Sequence, residues 1–170
     1  MKLQMMSAVA LATLVHVSTA NFDVYMADEQ TAIPQVWPVW HIWDTDPNCD
    51  EVLGDNPNYL GSDDVSGDNV GVRCDADDLR DCVSQSAPAE AIRILEMNFN
   101  NDDPIYHWTI YQDRNYDMIG LDGNVYGNCI LFPGNSYDCV NPLIGGFSGT
   151  RKFRCLTEFT AAQIKAEWGN

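Results

Sequence analysis

The chain has 170 residues, with 25 acidic side chains against nine basic ones and a net charge of −16 at pH 7. So acidic a chain repels phosphate backbones and anionic bilayers, so no nucleic acid is expected as a partner. The length suits one domain with a substantial core, and no cofactor motif is present.

The first twenty residues read as a leader. Lys2 supplies a positive start, Met5–Val17 is almost wholly apolar, and Ser18–Ala20 is a small-residue cleavage site. The apolar run is too short for a membrane anchor, and no later run could span a bilayer as a helix. The reading is a signal peptide over 1–20 and a single secreted domain over 21–170, extracellular and free of the membrane after cleavage. No Asn-x-Ser/Thr sequon occurs, so N-glycosylation is not expected.

Beyond the leader, Phe22, Val24 and Met26 alternate with Asp23 and Tyr25, the period of a strand. Residues 28–34 read as a loop. Val36–Trp43 follows, with Pro38 excluding a helix interior and a central strand position before it. From Val39 this segment reads as a strand apolar on both faces. Residues 44–69 are rich in Asp, Asn, Gly, Pro and Ser and predict a long acidic surface loop. Residues 75–82 could form a short helix with acids in its first turn.

The stretch 91–132 carries the clearest pattern. Two runs rich in β-branched and aromatic residues flank Asn100–Pro104, and Asp122-Gly123 marks a second tight turn. Together they predict a β-meander. Pro133–Ser136 reads as a turn, Tyr137–Val140 as a short strand and residues 141–149 as a Gly-rich loop. Over Thr150–Leu156, Phe153 and Cys155 are expected on one face, with Lys152 and Arg154 on the other. The chain ends in a helix with readable caps. Thr160 and Gln163 form a capping box, Phe159 and Ile164 a hydrophobic staple, and Gly169 a stop. The fold class is therefore α+β and β-rich: an antiparallel meander sheet, a C-terminal helix and a long acidic loop region, stabilised by disulfides.

All six cysteines (Cys49, Cys74, Cys82, Cys129, Cys139, Cys155) follow the leader. An even count in a secreted chain predicts three disulfides, and no Cys-x-x-Cys pair supports a zinc site. Spacing does not fix the pairing. A Cys129–Cys139 bridge across a hairpin is one expectation. The others should tie the N-terminal half to the sheet or close the Cys74–Cys82 loop.

Several residue sets could carry function. His41 and His107 are the histidines beyond the leader, and with Arg93 or a carboxylate they could perform acid–base hydrolysis of a ribonuclease or glycosidase kind. With Asn100–Pro104 as a five-residue loop, His107 falls opposite Met97. It then shares a face with Leu95, Phe99, Thr109 and Tyr111, and Glu96 points away from it. In that register His107 reads as a hydrogen-bonded core residue, and the same reading applies to His41 between Trp40 and Ile42. Asp44, Asp46, Asn48 and Asp50 place oxygens at alternate positions, with Asp55 further on. The set suits an irregular calcium loop but not an EF-hand, because Cys49 stands where the turn needs Gly. Gly146–Thr150 resembles a nucleophile elbow but lacks its last glycine and precedes a strand. Trp37, Trp40 and Trp43 could stack on a sugar ring or fill a core, with Trp40 facing away from the other two.

Glu96–Phe99, Tyr106–Tyr111, Ile119–Gly123, Tyr126–Cys129 and Lys152–Cys155 resemble segments of small secreted cysteine-containing proteins of filamentous fungi. The likeness covers roughly residues 90–165 and contains no catalytic motif. It implies an extracellular, effector-like protein facing a host or competitor, and it carries over no functional residues. The expected function is a non-catalytic interaction protein whose partner is an extracellular protein or carbohydrate. A small secreted hydrolase is the alternative.

Overall fold

The computed structural model describes residues 20–31, 35–54, 57–141 and 145–168. The leader apart from Ala20, Asp55 and the Gly169 stop lie outside them. Among the described residues nine strands dominate: β1 (Asn21–Gln30), β2 (Val36–Trp43), β3 (Tyr59–Leu60), β4 (Gly71–Ala76), β5 (Ile92–Asn98), β6 (His107–Tyr111), β7 (Asp117–Gly120), β8 (Val125–Asn141) and β9 (Gly145–Thr157). Two helices accompany them, α1 (Cys49–Val52) and α2 (Ala161–Glu167). The β-rich α+β class read from the sequence is the class observed.

The strands pair in the order β3-β2-β1-β9-β8-β7-β6-β5-β4. The two end strands then meet in a parallel bridge between Gly61 and Val72, where the Ser62 N–H donates to the Val72 carbonyl at 2.9 Å. The sheet thus closes on itself, and strands follow one another around the ring in chain order. Direction cannot alternate throughout a closed ring of nine strands, so one parallel junction is forced. It falls between β3 and β4, at a seam held by a single bridge.

Alternation sorts the side chains into two layers. Phe22, Val24, Met26, Trp40, Ile42, Leu95, Met97, Trp108, Ile110, Phe153 and Cys155 fill the interior. Helix α2 closes one end, adding Ala161 and Ile164 to that core and setting Trp168 edge-on to Tyr59 at 4.6 Å. The capping box read from the sequence is present: Thr160 Oγ1 accepts from Gln163 N at 3.0 Å, and Gln163 Oε1 accepts from Thr160 N at 2.8 Å. From residue 84 the chain crosses to the same core, placing Ala89 and Ile92 in it. On the way the Gln85 amide donates to Asp28 and Ser148, partners across β1 and β9.

A bulge in β9 changes what Lys152 does. Val24 pairs with Phe153 and Tyr25 with Arg151, which leaves Lys152 as the extra residue. Lys152 is almost fully buried, and its ammonium donates to the carbonyls of Ser84, Gln85 and Ala87. Simple alternation had put it beside Arg154 on the outer face. The bulge turns Arg151 outward in its place, to Asp23 at 2.9 Å and Asp46 at 2.8 Å.

A second, smaller core lies outside β1 and β2. Tyr25, Ala27, Val39, Trp43, Val52, Tyr137 and Cys139 form it. The acidic stretch read as one long loop covers this face and contains α1 and β3. Asn48 caps α1, accepting from Asp50 N and Glu51 N. The disulfide Cys49–Cys139 fastens this cover to β8. Cys129–Cys155 joins β8 to β9 inside the ring, and Cys74–Cys82 closes the loop after β4. Cys129 and Cys139 are therefore not partners. The expected hairpin between them does not form, because β8 runs on through Pro133–Ser136 with local register shifts. Residues 145–149, expected in a loop, open β9, and β1 extends to Gln30.

Candidate functional site

The seam positions an apolar concavity on the surface. Strand β3 has only two residues, and it pairs with β2 at Val39–Leu60 and Trp40–Tyr59. The first residues of β2, Val36–Pro38, pair with β1 and, among the described residues, find no strand partner on their other side. Pro38 suits such an edge because it has no N–H to leave unpaired. The chains cross closely at Gly71, whose φ is +141°, and a Cβ there would meet the Leu60 carbonyl oxygen at 2.8 Å.

Beside this crossing lies a cavity of about 880 Å³. Trp40, Val72 and the Cys74–Cys82 disulfide line its inner part, and Trp37, Leu60, Leu79 and Val83 its mouth. The last four are exposed, from 50% for Val83 to 72% for Leu79. Isolated apolar residues on a surface need no explanation, but four around one concavity of ligand size do. The charged side chains in the lining are Glu29 and Asp63, and neither makes a salt bridge among the described residues.

The three tryptophans separate as an extended strand requires. Trp37 is half exposed at the cavity mouth, and Trp40 is buried in the interior with one edge on the cavity. Trp43 lies in the outer core, with the Lys165 ammonium 3.5 Å above its ring. Burial pushes the Lys165 pKa down to about 8, against the pull of Asp44 and Glu51. The cavity thus recruits Trp37 and Trp40 but not Trp43.

The histidines stand on well-separated strands. His41 is fully buried on the outer face of β2. Its Nε2 lies 2.8 Å from Asn58 Oδ1, and its Nδ1 lies 2.6 Å from the Tyr137 hydroxyl. Asn58 Oδ1 can only accept, so Nε2 carries the proton and the Tyr137 hydroxyl donates to Nδ1. Burial holds the ring neutral, with its pKa down at about 4, although the Asn58 bond opposes this.

His107 differs from the sequence expectation. It pairs with Asn98 rather than Met97, because Pro104–Tyr106 forms a 3-10 turn and lengthens the connection. The one-residue slip exchanges the faces. Trp108 and Ile110 point inward, and His107 joins Glu96 on the outer face, its Nε2 2.9 Å from Glu96 Oε1. Glu96 Oε2 accepts from Arg73 Nε at 2.7 Å. Burial alone would raise the Glu96 pKa, but the Arg73 and His107 hydrogen bonds outweigh it and hold the group below its ordinary value. His107 remains buried, and its partner is the carboxylate expected on the opposite face.

Arg93 does not join either histidine. It pairs with Asp75 at 2.9 Å and Asp77 at 3.0 Å. Strands β2 and β6 lie four positions apart around the ring by the shorter route, so His41 and His107 do not form an acid–base pair.

Three of the four candidate calcium ligands, Asp44, Asp46 and Asn48, accept from protein donors. Asp44 Oδ1 accepts from Ala161 N at 2.6 Å. Asp46 accepts from Tyr25, Arg151 and Asn135, and the Asn135 bond leads in lowering its pKa. Asn48 caps α1, and Asp50 stands in that helix's first turn. Among the described residues no group of three or more His, Cys, Asp or Glu side chains could hold a metal ion.

Sequence reasoning missed Leu60, Leu79 and Val83. Each follows or precedes polar residues in a stretch without period, so their convergence depends on ring closure. Among the described residues no helix is long and apolar enough to cross a membrane. Comparison of the chain with protein-family models, curated proteins and solved structures found no match.

Proposed function

We propose that this is a secreted, non-catalytic binding protein that takes the apolar part of its ligand into the cavity at the β3/β4 seam. The observation that carries the reading is the convergence of Trp37, Leu60, Leu79 and Val83, all exposed, on one concavity. Trp40, Trp43 and Trp108 are buried at 0–6% exposure and Trp168 is partly buried, whereas Trp37 stands half exposed at the rim. The volume falls within the range of pre-formed small-molecule sites.

Three further features support the reading. Three disulfides with no free cysteine among the described residues suit an oxidising, extracellular setting. The apolar leader with its small-residue cleavage site agrees, as does the resemblance to secreted fungal effector-like proteins. The residues that a hydrolase would use, His41, His107 and Arg93, are dispersed, and both histidines are held in hydrogen bonds away from solvent.

Two measurements test it. N-terminal sequencing of the exported protein should begin at Asn21. Trp37 fluorescence should respond to small apolar compounds at micromolar to millimolar concentration, and the Trp37→Ala variant should lose that response while keeping its melting temperature. A wild-type protein that binds no apolar probe overturns the proposal.

A further inference from the structure

The chemistry of the cavity rim narrows the ligand class. Apolar and aromatic surface makes up the body of the site, through Trp37, Trp40, Leu60, Val72 and Val83. Among the described residues Glu29 and Asp63 are its charged lining residues, both acids, and no lysine or arginine lines it. Glu29 sits directly across the β1/β2 ladder from Trp37. A carboxylate beside an exposed indole is the arrangement that attracts an ammonium group, because the ring face and the carboxylate are both negative. Trp is the strongest of the aromatic side chains in this role. An anionic ligand would meet two carboxylates and a chain of net charge −16. A neutral apolar ligand would leave both acids idle beside it.

From this we infer that the seam cavity selects a small amphiphilic cation, an apolar body carrying a single ammonium group. The apolar part fills the space between Trp40, Val72 and the Cys74–Cys82 loop. The ammonium stays at the rim between the Trp37 ring and the carboxylates of Glu29 and Asp63. This rests on the cavity being the binding site proposed above, and the two statements fail differently.

The test uses three probes with the same ten-carbon tail, each below its micelle concentration: decyltrimethylammonium, decanol and decyl sulfate. Binding is read by calorimetry and tryptophan fluorescence at physiological ionic strength, where remote charges are largely screened. The ammonium probe should bind about tenfold more tightly than decanol, and the sulfate most weakly. Glu29→Gln with Asp63→Asn should bring the affinity for the ammonium probe down to that for decanol. Asp102→Asn with Asp113→Asn, an equal charge change elsewhere on the surface, should preserve it. Equal affinity for all three probes, or a preference that the Glu29/Asp63 variant retains, overturns the cation inference and leaves the binding reading intact. No binding of any probe overturns both.

Discussion

The two sides of the ring are built differently. Strands β1, β9 and β8 run ten, 13 and 17 residues and share long continuous ladders. A second core, a buried Asp23–Arg151–Arg154 cluster and two disulfides reinforce that wall. At the seam, a two-residue strand, a single parallel bridge and a short-range disulfide do the equivalent work. Fold stability is thus concentrated on the side away from the cavity. That division lets the seam expose apolar side chains and a strand edge that is unpaired among the described residues, features that a marginally stable sheet could not carry.

Cross-link removal tests the contrast most strongly. Cys49–Cys139 spans 90 residues, Cys129–Cys155 spans 26 and Cys74–Cys82 spans eight. Loop-closure entropy then ranks their loss at about 4.6, 3.5 and 2.5 kcal/mol for paired alanine replacements. Denaturant unfolding of the three variants measures this order. Only the Cys74/Cys82 variant should alter probe binding in the cavity. If it proved the least stable of the three, the wall would not be the side that holds the fold together.

Acid should also act first on the wall. Folded His41 takes a proton at about 4 and an unfolded histidine at 6.5. The contribution is complete above pH 6.5, is lost as pH falls between those values, and levels off below them. The loss is about 3 kcal/mol over the window. Glu96 and Asp46, whose pKa values are lowered, add losses only at still lower pH. A titration of the His41 ring by NMR with a midpoint near 6.5 would remove the basis of this prediction. So would a His41→Gln variant with the same acid slope as wild type.

On the seam side, Arg73, Glu96 and His107 tie β4 to β5 and β5 to β6. His107→Ala should cost about 2–3 kcal/mol, from the cavity left and from a carboxylate oxygen without its donor. Hydrogen exchange should accelerate across β4–β6 and stay slow in β8 and β9. Uniform acceleration would mean that the two sides unfold as one unit.

What the sequence revealed follows the range of the interactions. The first half of strand β1, the Asp122-Gly123 turn and the α2 cap depend on residues within ten positions of one another and were readable, and the Cys74–Cys82 loop was one of two options left open. The β5/β6 register was not, because a 3-10 turn at Pro104–Tyr106 hides in residues that also read as an ordinary loop. Lys152 was misplaced because the β9 bulge arises from pairing with β1, which no local period encodes. The cavity is the extreme case. Trp37 could be singled out as an aromatic candidate, but Leu60, Leu79 and Val83 come together only when β3 meets β4.

The smallest expected effect lies at the end of the ring that α2 closes. The helix has seven residues, too few to persist alone, so it depends on its cap and on Ile164 and Trp168 packing below it. Thr160 and Gln163 satisfy one another's backbone donors, and Asp44 accepts from Ala161 N. Thr160→Ala removes one acceptor at the first turn, worth about 1 kcal/mol. Because Asp44 and the buried face remain, the helix should stay docked. The melting temperature should fall by a few degrees, with the Trp168 emission unchanged. Asp44→Ala in the same background should add a comparable loss, since the Asp44 side chain reaches α2 from the loop after β2 and accepts from a different N–H. If Thr160→Ala alone released Trp168 to solvent, the cap rather than the packing would be what holds this end closed.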